Sequence, residues 1–344
     1  MRRFTHRFFI LAVLMGSAVV LEQELSAQSQ AKSASHSPAV FRVQFVQQFR
    51  SSQDLSPREG LGKRILNLLV GQKHLTLTKP VNLLSDSHGR WWILDQGSGT
   101  ILIVDPQKHR IRPAASPREG DFPSLVGICM TPTGEVLVTD SKRNHIYRYQ
   151  NPSQKPRRFN DSLQLHQPTG IAYCEKTDQI WVAETAAHRL AVLDSRGRLL
   201  KYVGRRGTEP GSFNFPTFLW CDREGFIYVV DALNFRIQIF TAGGDFLSAF
   251  GEPGDATGYF ARPKGVATDS FGHIYVVDGL FHTVQVFDRE GNFLYRFGQQ
   301  GREEGEFWLP TGIFVDRDNR IYVADSYNAR IQVFQLVRGT GDEN

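Results

Sequence analysis

Cysteine is scarce: the 344 residues hold only Cys129, Cys174 and Cys221. An odd count at spacings of 45 and 47 fits neither a disulfide framework nor a zinc pattern, and predicts free thiols buried in core strands. No Cys-x-x-Cys-His occurs, so the chain carries no covalent c-type haem of its own. The ten histidines show no His-x-His pair and no ligand-like spacing, which leaves no metal or other cofactor to nominate. No Ser/His/Asp arrangement can be singled out, so the sequence offers no catalytic set. Dense Lys/Arg runs are also missing, and a net charge of +5 is too mild to mark a nucleic-acid binder. The apolar run Phe8–Leu21 spans 14 residues, short of the roughly 20 that a membrane-crossing helix needs.

That run has a different reading. Arg2, Arg3 and Arg7 precede it and small residues follow, the pattern of an export signal over residues 1–27, with cleavage alternatively after Ala31. Gln28 stands where an acylated cysteine would follow Leu25-Ser26-Ala27, so no lipid anchor is expected. The protein is expected to be exported, to the periplasm or beyond, with no integral span once the signal is removed. Residues 28–40 read as a flexible polar linker.

What the chain has in quantity is repetition. IYVVDALNFRIQIF at residues 227–240 returns as IYVADSYNARIQVF at 321–334. A carboxylate closes an apolar run at Asp95, Asp140, Glu184, Asp231, Asp278 and Asp325, at spacings of 45, 44, 47, 47 and 47. Gly204, Gly251 and Gly298 keep the 47-residue period, as do Phe213, Phe260 and Phe307, and Pro216, Pro263 and Pro310. Each complete unit reads as four short strands rich in β-branched and aromatic residues, bounded by turns such as Asp222–Gly225 and Asp269–Gly272. Both faces of these strands are apolar, as expected when a sheet is packed between two neighbouring sheets. The predicted fold is all-β: a six-bladed β-propeller of four-stranded blades over residues 41–337, with a polar tail at 338–344. The sixth unit lacks a fourth strand, and residues 41–49, which resemble the outer strand Phe293–Phe297, are expected to supply it and close the ring.

The unit GEFWLPTGIFVDRDNRIYVADSYNARIQVF resembles an NHL repeat, as do units three to six over residues 166–334; units one and two match more loosely. LNFRIQIF, ARPKGVATDSFGHIYVVD and GEFWLPTGI further resemble exported bacterial NHL proteins encoded beside multihaem c-type cytochromes. That resemblance implies a non-enzymatic, protein-binding scaffold in an extracytoplasmic electron-transfer assembly, with such a cytochrome as partner. The alternative is a metal-dependent lyase or hydrolase with its site at the propeller axis. Lyases similar in fold bind zinc through histidines near the Pro-x-Gly start of the inner strands. Here Val81, Thr169, Thr217, Lys264 and Thr311 follow the proline, and no His does. Eukaryotic NHL domains that bind RNA make a third comparison, which the export signal argues against.

A residue that recurs in every blade answers a need of every blade. The six carboxylates, and the arginines five residues after three of them (Arg189, Arg236 and Arg330), are therefore expected to hold turns rather than a ligand. Blade-specific residues on the face where the second-to-third-strand loops open are the binding candidates. They are Leu233 and Phe235 in blade four, Leu280, Phe281 and His282 in blade five, and Tyr327 in blade six, an apolar sector suited to a protein partner. Phe235 or Phe281 could instead fold inward and plug a blade interface. Lys142 and Arg143 in blade two, and Lys264 at the channel mouth, are cationic candidates. The segment Lys63–Val70, with apolar positions at helical spacing, reads as a short capping or docking helix before blade one.

Overall fold

The computed structural model describes residues 41–55, 75–161 and 163–338, so the export signal, the linker, the segment at 63–70 and the tail beyond Arg338 lie outside the described residues. Residues 43–336 form one compact unit. Of a second unit, made from the two ends of the chain, only residues 41–42 and 337–338 are described, as the tips of two strands. Among the described residues the strands form six separate antiparallel sheets of four. Blades one to five follow chain order, at residues 80–113, 125–158, 168–203, 216–250 and 263–297. Blade six takes three strands from residues 313–338 and its outer strand from Phe41–Phe49, which closes the ring as expected. Its third strand, Arg330–Arg338, runs one residue past the expected end of the propeller.

The second strand of every blade is buried beyond at most its first residue, as in Ile227–Asp231 and Ile274–Asp278. Its two faces belong to different cores. Tyr228 and Val230 pack with Val266, Ile274 and Val276 of blade five, whereas Ile227 and Val229 pack with Trp181, Ala183 and Leu190 of blade three. This two-sided burial is what the doubly apolar strand pattern demanded.

Each recurring residue has a mechanical reason. Phe213, Phe260 and Phe307 are fully buried and lie flat on Gly204, Gly251 and Gly298. A β-carbon on Gly251 would sit 2.2 Å from the Phe260 ring, and the backbone there has φ +97°. The glutamine of the R-I-Q motif clamps the loop that enters its blade. Gln238 Oε1 accepts the Gly211 N–H at 2.9 Å while Nε2 donates to Ser212 O at 2.8 Å, and Gln285 and Gln332 repeat both contacts. The Asp-x-x-Gly turns, and the Asp316–Asn319 turn of blade six, are tied by a side chain of the next strand: Tyr228, Tyr275 and Tyr322 donate to Asp222, Asp269 and Asp316 at 3.1, 2.9 and 3.0 Å.

The cysteines divide. Cys129 and Cys174 are buried, whereas Cys221 is half-buried, more accessible than the sequence suggested. Cys174 and Cys221 end the inner strands of blades three and four and pack in one cluster. Cys174 Sγ donates to Gly225 O at 3.9 Å and Cys221 Sγ to Asp222 O at 3.5 Å, and the neighbouring Cys221 thiol holds Cys174 down to about 6. Burial pushes the Cys129 thiol up.

Three substitutions test these roles by urea unfolding. Gly251→Ala is expected to cost about 1–3 kcal/mol, because it combines a positive φ with the clash against Phe260. Arg330→Ala leaves Asp325 buried without its partner and is expected to cost about 3–5 kcal/mol. Arg189→Ala, which removes a guanidinium that keeps 28% of its surface, should cost less than Arg330→Ala.

Candidate functional site

The loops between second and third strands, and those between blades, open on one face of the ring. Their shape is set by the six carboxylates. Each is fully buried and accepts backbone N–H groups in its own turn, in the loop that enters its blade, or in both. Asp95 accepts from Thr78 at 2.7 Å, Lys79 at 2.9 Å and Gly97 at 3.0 Å. Glu184, Asp231, Asp278 and Asp325 accept from His166, Asn214, Ala261 and Trp308 at 2.7–2.9 Å. Arg189, Arg236 and Arg330 donate to Glu184, Asp231 and Asp325 at 2.7, 2.9 and 2.7 Å. Blade five has Thr283 in place of the arginine, and its hydroxyl donates to Phe297 O instead. Blade two is the loosest. Asp140 accepts from Lys142 and Arg143 at 3.1 Å, yet its Oδ2 and Arg143 Nη1 remain 3.9 Å apart, each without a hydrogen bond. Burial therefore raises the Asp140 carboxyl. Among the described residues, no group of three or more His, Cys, Asp and Glu side chains could hold a metal ion.

On this frame the apolar candidates separate into two kinds. Leu233, Leu280 and Tyr327 stand 51, 49 and 59% exposed, and the 47-residue spacing puts them at the same loop position in blades four, five and six. The equivalent residues in blades one to three are Gly97, Lys142 and Ala186, so half the ring presents large apolar tips and half does not. Phe235 is different: it is half-buried and packs against the core shared by blades four and five. It also holds φ +54°, the left-handed conformation that His188, His282 and Ala329 adopt at the same position. Phe281 is half-buried as well. Lys142 is exposed at its tip, whereas Arg143 reaches across to donate to Glu119 O at 3.0 Å. The shared register of the three tips was missed in the sequence, where aligning the loops on the carboxylate would have shown it. A basic cleft of about 140 Å³ on blade one, lined by Arg90, Lys108, Arg110 and Arg112 beside Asp105, also went unrecognised as a cleft.

His282 is a tie between blades. Its Nδ1 accepts the Leu309 N–H at 3.0 Å, in the loop that enters blade six, just as His188 accepts from Phe215 at 3.2 Å. Acceptance requires a neutral ring, and burial lowers the His282 pKa below its ordinary 6.5. The unfolded chain therefore binds a proton more readily than the folded one. This contribution to stability is complete above about 6.5 and is lost as the pH falls toward the depressed folded value. Urea midpoints should accordingly drop on acidification in this window, with a shallower drop in His282→Asn.

Comparison with known proteins agrees with this architecture. Residues 165–193 match the NHL repeat family, and residues 263–340 match a family described as a 6-bladed beta-propeller. No curated protein matches the chain. Among solved structures, virginiamycin B lyase from Staphylococcus aureus aligns at 15% identity and TM-score 0.56, over 87% of this chain and 100% of that one. An auxiliary nutrient binding protein from Bacteroides thetaiotaomicron aligns at 13% identity and TM-score 0.61, over 76% and 69%. Kuenenia stuttgartiensis hydrazine synthase aligns at 12% identity and TM-score 0.53, over 77% and 97%. At such identities the likeness is one of fold, and the chain is a six-bladed β-propeller with a match to the NHL repeat over residues 165–193.

Proposed function

We propose that this propeller is an exported, non-enzymatic scaffold that binds a protein partner on the loop face of blades four to six. The observation that carries the reading is the arc of Leu233, Leu280 and Tyr327, three exposed apolar side chains on loops whose backbones are fixed from within. Leu233 N–H donates to Asn214 O at 3.0 Å, Leu280 N–H to Asp278 Oδ1 at 3.0 Å and Tyr327 N–H to Trp308 O at 3.1 Å. Tips held this way lose little freedom on binding, which favours affinity from a small contact. The buried carboxylates of this arc are already committed to backbone N–H groups. Binding proteins for nutrients on the same fold support a non-catalytic role.

The basic segment and apolar run at the start of the chain support export, and among the described residues no helix is long and apolar enough to cross a membrane. A multihaem c-type cytochrome is the partner we favour, on the strength of the sequence resemblance alone. Capture of the tagged protein from its native envelope should recover material with haem absorbance. Replacing Leu233 and Leu280 by Asp and Tyr327 by Ala should reduce recovery by about tenfold or more, since loss of central apolar anchors costs upward of about 1–2 kcal/mol. Unchanged recovery by a folded triple variant would sink the assignment of this face; recovery of protein without haem would redirect the partner class.

A further inference from the structure

Blade five departs from the repeat twice in one place, at the mouth of the axis. The residue after the inner-strand proline is Val81, Thr169, Thr217 or Thr311 in four other blades, but Lys264 in blade five. It is a bulge residue: pairing passes from Pro263↔Asp278 to Gly265↔Val277 and leaves Lys264 out. A bulge frees a side chain from the alternation of the strand and re-aims it. The second departure is Gly279. The equivalent Ser326 of blade six and Thr185 of blade three donate across the seam to Pro80 O and Pro216 O of the next blade, at 2.5 and 2.6 Å. A β-carbon on Gly279 would lie 3.2 Å from Pro310 O and 3.3 Å from Lys264 Cγ. The lysine stem thus occupies the space where those blades place a seam hydroxyl, and glycine makes that possible.

The head group it delivers has no partner. Among the described residues the Lys264 ammonium and the Arg262 guanidinium make no hydrogen bond or ion pair. Arg262 stands exposed two residues away, and Lys79, from the loop that enters blade one, lies 5.6 Å over the Tyr327 ring. Burial, with the charges of Arg262 and Lys79, holds the Lys264 ammonium down to about 8. Asp278 is the one carboxylate acting on it, and its oxygens already accept N–H groups from Ala261 at 2.8 Å, Arg262 at 3.1 Å and Leu280 at 3.0 Å. On the neighbouring blade the equivalent bulge residue, Thr217, has a buried Oγ1 with no partner in the protein. The charges of Arg262 and Lys79 act on Lys264 while the one nearby carboxylate is spent on backbone N–H groups, and an anion would relieve that repulsion.

We propose that the axial mouth along blades five, six and one is a binding site for a small oxyanion, a phosphate or carboxylate group, held by Lys264, Arg262 and Lys79. Arginine offers a two-pronged fork to such a group and each lysine a point charge. The site adjoins the partner-binding face, because Lys79 lies over the Tyr327 ring, but it takes no ligand from the three apolar tips.

Calorimetric titration of the mature protein with inorganic phosphate and, separately, with succinate tests the proposal. Binding of at least one anion is expected at a single site, and which one binds assigns the ligand type. Lys264→Met, which keeps the stem over Gly279 and removes the charge, should weaken binding about tenfold or more, as for loss of a charge-assisted contact. Gly279→Ser, which restores the seam hydroxyl and displaces the stem, should weaken it too while the protein stays folded. Affinity should also fall as the pH rises through about 8, where Lys264 loses its proton. Binding of neither anion, or wild-type affinity in folded Lys264→Met, overturns the site. Partner capture by Lys264→Met, measured alongside, is expected to persist when anion binding is lost, which separates this site from the apolar arc.

Discussion

Crowding at the axis governs this molecule. The inner strands approach so closely that a β-carbon on Gly170 would fall 2.7 Å from Leu219 N, and one on Gly312 would fall 2.5 Å from Val81 O. Contacts this close admit no side chain at the glycine, which stands at this position in blades two, three, five and six as Gly127, Gly170, Gly265 and Gly312, while Asn82 and Phe218 stand there in blades one and four. The residue between proline and glycine is squeezed out of the ladder as a bulge and sent to the mouth. Seam hydroxyls then hold neighbouring blades together by reaching backbone carbonyls exposed at the bulges. Everything chemically distinctive on the loop face sits on top of this packing.

The carboxylates illustrate how a repeated residue can look functional and be mechanical. A ring of six buried acids suggests a metal site until their acceptor capacity is traced to the backbone N–H groups of the loops around them. The geometry also separates blades that look alike in sequence. Arg330 is fully buried and further bonded to Gln48 Oε1 at 2.7 Å, whereas the Arg189 and Arg236 side chains keep 28 and 15% of their surface. The outer strand from the start of the chain supplies the glutamine.

The fold was legible in the sequence because its signals are redundant: period, alternation and turn chemistry all agree over at least four units. The loop face was legible only in part. Leu233, Leu280 and Tyr327 were marked as candidates from their chemistry, but their common register emerges only when the loops are aligned on the carboxylate. Phe235 has the same chemistry and a different fate, because a left-handed backbone turns its ring into the seam between blades four and five. No pattern of residue types announces that turn, since His, Phe and Ala all occupy it. The same holds for Lys264, whose placement depends on a glycine fifteen residues away, and for the Cys174–Cys221 contact, which joins the ends of strands in different blades.

The clasp in blade six carries a kinetic consequence. Residues near 45 lie beside residues near 334, so the last sheet cannot be completed until almost the whole chain is present. Local hairpins in blades one to five can form as they appear, yet each leaves one face bare until its neighbour arrives. Closure is the contact of greatest sequence separation and is slow for that reason. Until it happens the third strand of blade six offers an unpaired edge. A chain that must cross a membrane before folding would meet this requirement without conflict, because both ends of the ring would reach the same compartment before either was committed.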